Sequence, residues 1–208
     1  MFTGDTFAEG GDRIANTLKA KNVDASFFFT GNFYRNPEFA PLIKRLRSDG
    51  HYLGPHSDKH LLYCSWTNRD SLLVSEDQFT KDLLANYSAM QEFGIKKNDA
   101  SYFIPPYEWY NDSISKWTNR LGIQLVNYSP GTRSTADYTT PDMKNYRSSE
   151  EIMQSIKAKG DDLNGFILLL HIGTDPARTD KFYLRLDELI EYLRSRKFEL
   201  VSVNDLLD

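Results

Sequence analysis

Short apolar runs alternate along the whole chain with stretches whose apolar residues recur every three or four positions, a pattern that predicts strands separated by amphipathic helices. After an opening run at Met1 to Thr3, a helix is expected from about Asp12 to Ala20, with Ile14 and Leu18 four apart. Ala25-Ser26-Phe27-Phe28-Phe29-Thr30 reads as a continuous apolar strand stopped by Gly31. Asn36-Pro37 predicts an N-cap with proline at the first helical position, and Phe39, Leu42, Ile43 and Leu46 then make one face of a helix ending near Gly50. His51 to Leu53 is a short strand closed by Gly54-Pro55.

The second half repeats the alternation. Ser75 and Gln78 form a capping-box pattern before a helix with Phe79, Leu83, Tyr87 and Met90 as its stripe and Gly94 as its stop. Tyr102-Phe103-Ile104 is a strand broken by Pro105-Pro106. Asn111-Asp112 opens a helix through Ile114, Trp117 and Leu121, and Gln124 to Tyr128 is the next strand. Ser148 and Glu151 can form a second capping box. Gly165-Phe166-Ile167-Leu168-Leu169-Leu170, the most apolar strand, runs straight into His171. A helix from Lys181 to Arg194, with Phe182, Leu186, Leu189 and Leu193 on one side, and a last strand near Leu200 to Val203 bring the count to about seven strands. The class is α/β with parallel strands, in which sites gather at the carboxyl ends of the strands.

Composition narrows the classes of function. The 208 residues are enough for one buried core, so one domain over 1–208 is expected. No apolar run approaches the ~20 residues that cross a bilayer. A net charge of −4 with both signs interspersed offers no footprint for nucleic acid and no basic block for anionic lipid, so neutral substrates, no nucleic-acid partner and no membrane insertion are expected. Cys64 is the only cysteine, which excludes an internal disulfide, and a nucleophilic role for it is not expected. The opening Met1-Phe2-Thr3-Gly4 reads as the end of a strand, which suggests a domain excised from a longer chain.

The candidate chemistry centres on histidines. His56 and His60, four apart on a turn or first helical winding, can share one divalent metal, although two surface histidines at helical spacing would look the same. His171, leaving the core at a strand end, is either a polar cap or a proton-transfer group. Aromatic residues crowd the expected loops at Phe33-Tyr34, Tyr63, Trp66, Trp109-Tyr110 and Tyr138, where rings either stack on sugars or pack in the core. No pair of carboxylates is as well placed for glycoside hydrolysis as the histidines are for metal chemistry.

Five pieces in order carry a family resemblance: the opening strand with Asp5, Ala25 to Gly31, Gly50-His51 through His60, Phe103-Ile104-Pro105-Pro106-Tyr107, and Leu168-Leu169-Leu170-His171. Together they resemble the polysaccharide deacetylases, metal-dependent carbohydrate esterases sharing the chitooligosaccharide deacetylase homology domain. The resemblance implies a distorted (β/α)7 barrel. It makes Asp5, His56 and His60 ligands of a divalent metal, Zn2+ by expectation, with open positions for water or substrate. It makes His171 the general acid and the Tyr107 backbone N–H an oxyanion donor on a loop stiffened by Pro105 and Pro106. His51 matches a position of the family that is structural.

Two departures stand out. The family ends its first strand with two adjacent aspartates, one a base and one a ligand, whereas Gly4-Asp5-Thr6 offers one; Asp5 as ligand is the simpler account. The arginine that precedes the Pro-Pro-Tyr element in the family is Ile104 here. Glu108 is the expected substitute base, Asp58 a second candidate, and Arg133 a contributor of charge. Pro106, Trp109, Tyr110, Trp66 and Arg133 are expected to line the substrate.

The implied function is hydrolysis of acetyl groups from an O-acetylated xylan-type polysaccharide or an N-acetylglucosamine polymer. The alternative is a deacetylase-like carbohydrate-binding domain with impaired catalysis. The implied partners are an acetylated oligo- or polysaccharide and a covalently fused carbohydrate-active domain, in a secreted or periplasmic setting.

Overall fold

The computed structural model describes residues 1–207. In chain order its elements are β1 (Phe2–Gly4), α1 (Gly11–Lys21), β2 (Ser26–Phe29), α2 (Gly31–Arg35), α3 (Ala40–Ser48), β3 (Tyr52–Pro55) and α4 (Glu76–Gln91). They continue with β4 (Tyr102–Phe103), α5 (Asp112–Arg120), β5 (Gln124–Leu125), α6 (Ser149–Lys157), β6 (Leu170–His171), α7 (Leu186–Ser195) and α8 (Val203–Leu207). A four-stranded sheet has the order β3-β2-β1-β6, and β4 and β5 form a second sheet. β1 pairs parallel with β6, and β4 parallel with β5. The α/β class with parallel strands is thus the one that the alternating pattern predicts. β2 explains its run of phenylalanines: Phe27, Phe28 and Phe29 are all fully buried, so both faces of the strand are covered, each ring contributing about 2 kcal/mol or more.

By contact the chain forms two compact units, one of Met1–Phe27, Ser48–Tyr52 and the chain from Tyr128 on, the other of Phe28–Arg47 and Leu53–Asn127. In the first, Phe2 stacks on Phe27 with centroids 5.1 Å apart, and buried Ile14, Ala15 and Leu18 of α1 share the core with Leu186, Leu189 and Ile190 of α7. In the second, Phe29 stacks on Phe33 at 4.0 Å, and Phe79, Leu83 and Met90 give α4 its buried stripe. Both capping boxes form as expected, Ser75 with Gln78 and Ser148 with Glu151, and Asn111 accepts from the Ile114 N–H to cap α5.

Three expectations are corrected. Gly31 does not stop the chain but opens α2, because the Thr30 hydroxyl accepts from the Phe33 N–H at 3.1 Å and caps a new helix. Glycine is needed there for close approach, since a Cβ would stand 1.8 Å from Asp58 Oδ1. The strand expected at Gly165 to Leu170 joins the ladder only at Leu170–His171; upstream, the Ile167 N–H is taken by the Ser129 hydroxyl. The last strand is absent among the described residues: the Ser202 hydroxyl pairs with Asp205 and the Leu206 N–H returns to the Ser202 carbonyl, starting α8 instead.

Candidate active site

In the second unit β3 delivers the chain into His56-Ser57-Asp58-Lys59-His60. This is a turn and not a helical winding, with Ser57 at φ 72° and His60 at φ 55°. His56 is 2% exposed, which removes the reading of two surface histidines. Its Nδ1 lies 2.8 Å from the Ile104 carbonyl; a carbonyl can only accept, so Nδ1 carries the proton and Nε2 keeps the lone pair. That bond to the far ring nitrogen is how metal-ligating histidines are held. The two rings lie 5.0 Å apart, centroid to centroid, at 61°. Two imidazoles each reaching one cation at about 2.1 Å, in tetrahedral directions, place their ring centres roughly 5 Å apart. The observed separation matches that spacing. No group of three or more His, Cys, Asp and Glu side chains arranged to hold a metal is found among the described residues.

Asp58 is not available as a base. Its Oδ1 accepts from Arg35 Nη1 at 2.7 Å and its Oδ2 from Arg35 Nη2 at 3.0 Å, a two-pronged ion pair against Gly31. Pro105 and Pro106 are buried, and the turn after them puts Tyr107 at φ 60° and Glu108 at φ 53°. The Glu108 and Trp109 N–H groups close that turn onto the carbonyls of Pro105 and Pro106, whereas the Tyr107 N–H makes no backbone bond in it. Glu108 is half-buried, and its carbonyl accepts from Asn127 at 3.0 Å.

The rings sort themselves. Phe33, Tyr34 and Tyr63 are core residues, not loop platforms. Trp66 is 57% exposed and Tyr107 44%. Tyr107 lies 4.4 Å from the His60 ring and 5.4 Å from Trp66, which is 5.7 Å from Trp109. Arg69 sits over Trp109 at 4.3 Å and over Tyr110 at 5.3 Å, locking the base of this aromatic group. Trp66 is carried on a narrow arm whose Cys64 and Leu72 form an antiparallel bridge. Burial pushes the Cys64 thiol up, in keeping with a structural residue.

In the first unit the register Thr3↔His171 sets Asp5 and His171 at the carboxyl ends of neighbouring strands. The Thr6 hydroxyl donates to Asp5 Oδ2 at 3.1 Å. His171 is gripped by Asp137: Oδ1 accepts from the ring Nδ1 at 2.6 Å and Oδ2 from the His171 backbone N–H at 2.8 Å. Asp137 is 3% exposed, and the exposed Tyr138 ring lies 4.9 Å from the imidazole. The turn that carries both is braced by the fully buried Arg178, whose Nη1 donates to the Thr139 carbonyl at 2.7 Å and whose Nη2 donates to the Arg147 carbonyl at 3.0 Å. Beyond His171, the Glu9 carboxylate accepts twice from the Thr174 N–H and pairs with Lys181 at 2.9 Å. Arg133 is exposed and its backbone N–H donates to Ser155. Its charge adds slightly to the capping bonds from Ser148 that hold Glu151 below the usual carboxylate range.

The family model described as polysaccharide deacetylase matches residues 4–126. The chain belongs to the polysaccharide deacetylase family. Over 197 residues it is 28% identical to a peptidoglycan-N-acetylmuramic acid deacetylase of Bacillus subtilis, covering 94% of this chain and 65% of that protein. A CE4 family pseudoenzyme from Bacillus anthracis superposes with a TM-score of 0.75 at 20% identity over 100% of this chain and 64% of the other. A family 4 acetyl xylan esterase from Clostridium thermocellum, solved with a cobalt ion, gives 0.74 at 23% identity over 99% and 87%. This deacetylase-family chain thus spans less than two thirds of the length of two of these relatives.

Against that family the sequence reading overlooked several supporting residues. Asp137 lies in the segment from Ser129 to Tyr138, where the family's later Asp-Trp element is altered; Arg178, Arg35 and the helix pair Asp82 and Asn86 are not singled out by any sequence motif. The signal for the last two was present: polar residues four apart beside the stripe of Phe79, Leu83, Tyr87 and Met90.

Proposed function

We propose that the protein hydrolyses acetyl groups from a carbohydrate, with His56 and His60 as donors to a divalent cation, Zn2+ by preference, and Asp5 as the carboxylate donor. The observation that carries this reading is the buried His56, its Nδ1 fixed on the Ile104 carbonyl and its ring 5.0 Å from His60. A cation bound there supplies Lewis acidity and lowers the pKa of a coordinated water. The chain's own groups do the rest. The Tyr107 N–H, left out of its turn, donates to the oxyanion as the carbonyl carbon becomes tetrahedral. His171, oriented by Asp137, gives its Nε2 proton to the departing amine or alcohol. Glu108 takes the proton of the attacking water.

Trp66, Tyr107, Trp109 and Tyr110 offer ring faces for sugar, with Pro106 beneath and Arg133 a more remote contributor of charge. Trp66→Ala is expected to raise KM for an acetylated oligosaccharide several-fold while leaving the rate on a small acetyl ester unchanged; equal KM values on the oligosaccharide refute the stacking role.

The relatives' names support N-acetylated peptidoglycan sugars and O-acetylated xylan as substrates, acting outside the cell or in the periplasm, and a neighbour in a multidomain xylanase supports a fused partner domain. A second reading, a carbohydrate-binding domain without turnover, is favoured by the lack of a three-donor group among the described residues. Acetate release from peptidoglycan, chitooligosaccharides and acetylated xylan decides between them. We expect release with Zn2+ or Co2+ and its loss on chelation; no metal-dependent release from any of the three establishes the binding-domain reading.

A further inference from the structure

Two polar side chains on the buried side of α4 bond to backbone N–H groups of the histidine turn. Asp82 is 8% exposed and Asn86 fully buried, one helical turn apart. Asp82 Oδ2 accepts from the Asp58 N–H at 3.1 Å and from the Tyr63 hydroxyl at 3.1 Å, and Oδ1 accepts from the Lys59 N–H at 3.2 Å. Asn86 Oδ1 accepts from the His56 N–H at 2.9 Å. The Tyr63 hydroxyl remains a donor at neutral pH, because burial, reinforced by the charge of Asp82, pushes its pKa well above the ordinary range.

The turn needs such a hold. Ser57 and His60 are non-glycine residues in the left-handed region, a conformation that persists only where surrounding bonds impose it. From the other side, Gly31 and Asn32 donate to the Ser57 and Asp58 carbonyls at 3.0 and 3.1 Å, and Arg35 fixes the Asp58 carboxylate. The N–H groups of Asp58 and Lys59 point the opposite way, into Asp82.

We infer that Asp82 and Asn86 are positioning residues that set the spacing and facing of the His56 and His60 rings for one shared divalent cation. The inference rests on the reading of that pair as cation donors and assigns its geometry to α4. Asp82→Asn keeps the size of the side chain but turns one acceptor into a donor aimed at N–H groups, so the turn relaxes and the rings leave their common focus.

The test is Co2+ binding, followed by visible absorption and calorimetry on wild type, Asp82→Asn, Asn86→Ala and Leu83→Ala. Changes in groups that orient metal ligands typically cost about 10–100-fold in affinity, and that loss is expected for Asp82→Asn with an altered Co2+ spectrum, with a several-fold loss for Asn86→Ala. Leu83→Ala, which empties core space on the same helix, lowers Tm and binds Co2+ as wild type does. Wild-type affinity in Asp82→Asn, or an equal loss in Leu83→Ala, overturns the inference. Should Asp82→Asn fail to fold, unchanged affinity in Asn86→Ala overturns it. Absence of Co2+ binding by the wild type instead sinks the cation reading itself, and this inference with it.

Discussion

Asp137→Asn is expected to lower kcat for acetate release by about 10²–10⁴-fold with little change in KM, the range that a positioned acid or base contributes. The carboxylate holds His171 at two points, ring Nδ1 and backbone N–H, and both bonds run from donor to anionic acceptor. With the proton held at Nδ1, Nε2 is the atom that the proposed mechanism has exchange a proton with substrate, and the carboxylate would stabilise the positive charge of the doubly protonated ring. An asparagine can accept with only one atom. If its oxygen faces the ring, the amide nitrogen meets the His171 N–H; if it turns over, the amide donates to Nδ1 and moves the ring proton to Nε2. The fold tolerates the change because the turn around Asp137 is held by Arg178 through the carbonyls of Thr139 and Arg147. The measurement is kcat and KM on one acetylated oligosaccharide, and an unchanged kcat removes His171 from proton transfer.

The second large effect separates the two histidines. If the pair holds the cation as proposed, His60→Ala and His56→Ala are both expected to abolish Co2+ binding and metal-dependent acetate release, a loss beyond the ~10–100-fold typical of groups that merely orient ligands. Their stabilities differ. His60 is half-buried and contacts the Tyr107 ring, so its loss moves Tm little. His56 is 2% exposed, and its removal strands the Ile104 carbonyl without its donor, at a cost of about 1–3 kcal/mol. Thermal denaturation of the metal-free variants should therefore place His56→Ala clearly below His60→Ala. Equal Tm values would mean that the Ile104 bond adds no stability, and Co2+ binding by either variant would show that the pair is not the cation's seat.

The parts of this protein that local chemistry specifies were legible in the chain. A serine three residues before a glutamine or glutamate is a helix start wherever it folds, and Phe27-Phe28-Phe29 has to be covered on both faces. The His56 and His60 spacing and the Pro105-Pro106 loop were visible for the same reason. What stayed hidden depends on partners far along the chain. Arg178 looks like any solvated arginine until the carbonyls of Ala136, Thr139 and Arg147 surround it, and Asp82 looks like an exposed helix charge until two N–H groups and a hydroxyl reach it. Phe33 and Tyr34 look like loop rings because a glycine after an apolar strand signals a stop unless the preceding threonine is recognised as a cap, whereas Tyr63 does lie outside any helix or strand and is buried by Phe79 and Asp82. The last strand failed because two apolar residues, Leu200 and Val201, could not outcompete the serine that follows them as a helix start.

The contact at Gly31 constrains how this sequence can drift. A methyl group at position 31 has no room while Asp58 stands there, and Asp58 stands there because Arg35 holds it. Positions 31, 35 and 58 are therefore coupled: the acid must shrink, leave or lose its arginine before the glycine can gain a side chain, and Arg35 itself lies 2.9 Å from where that side chain would start.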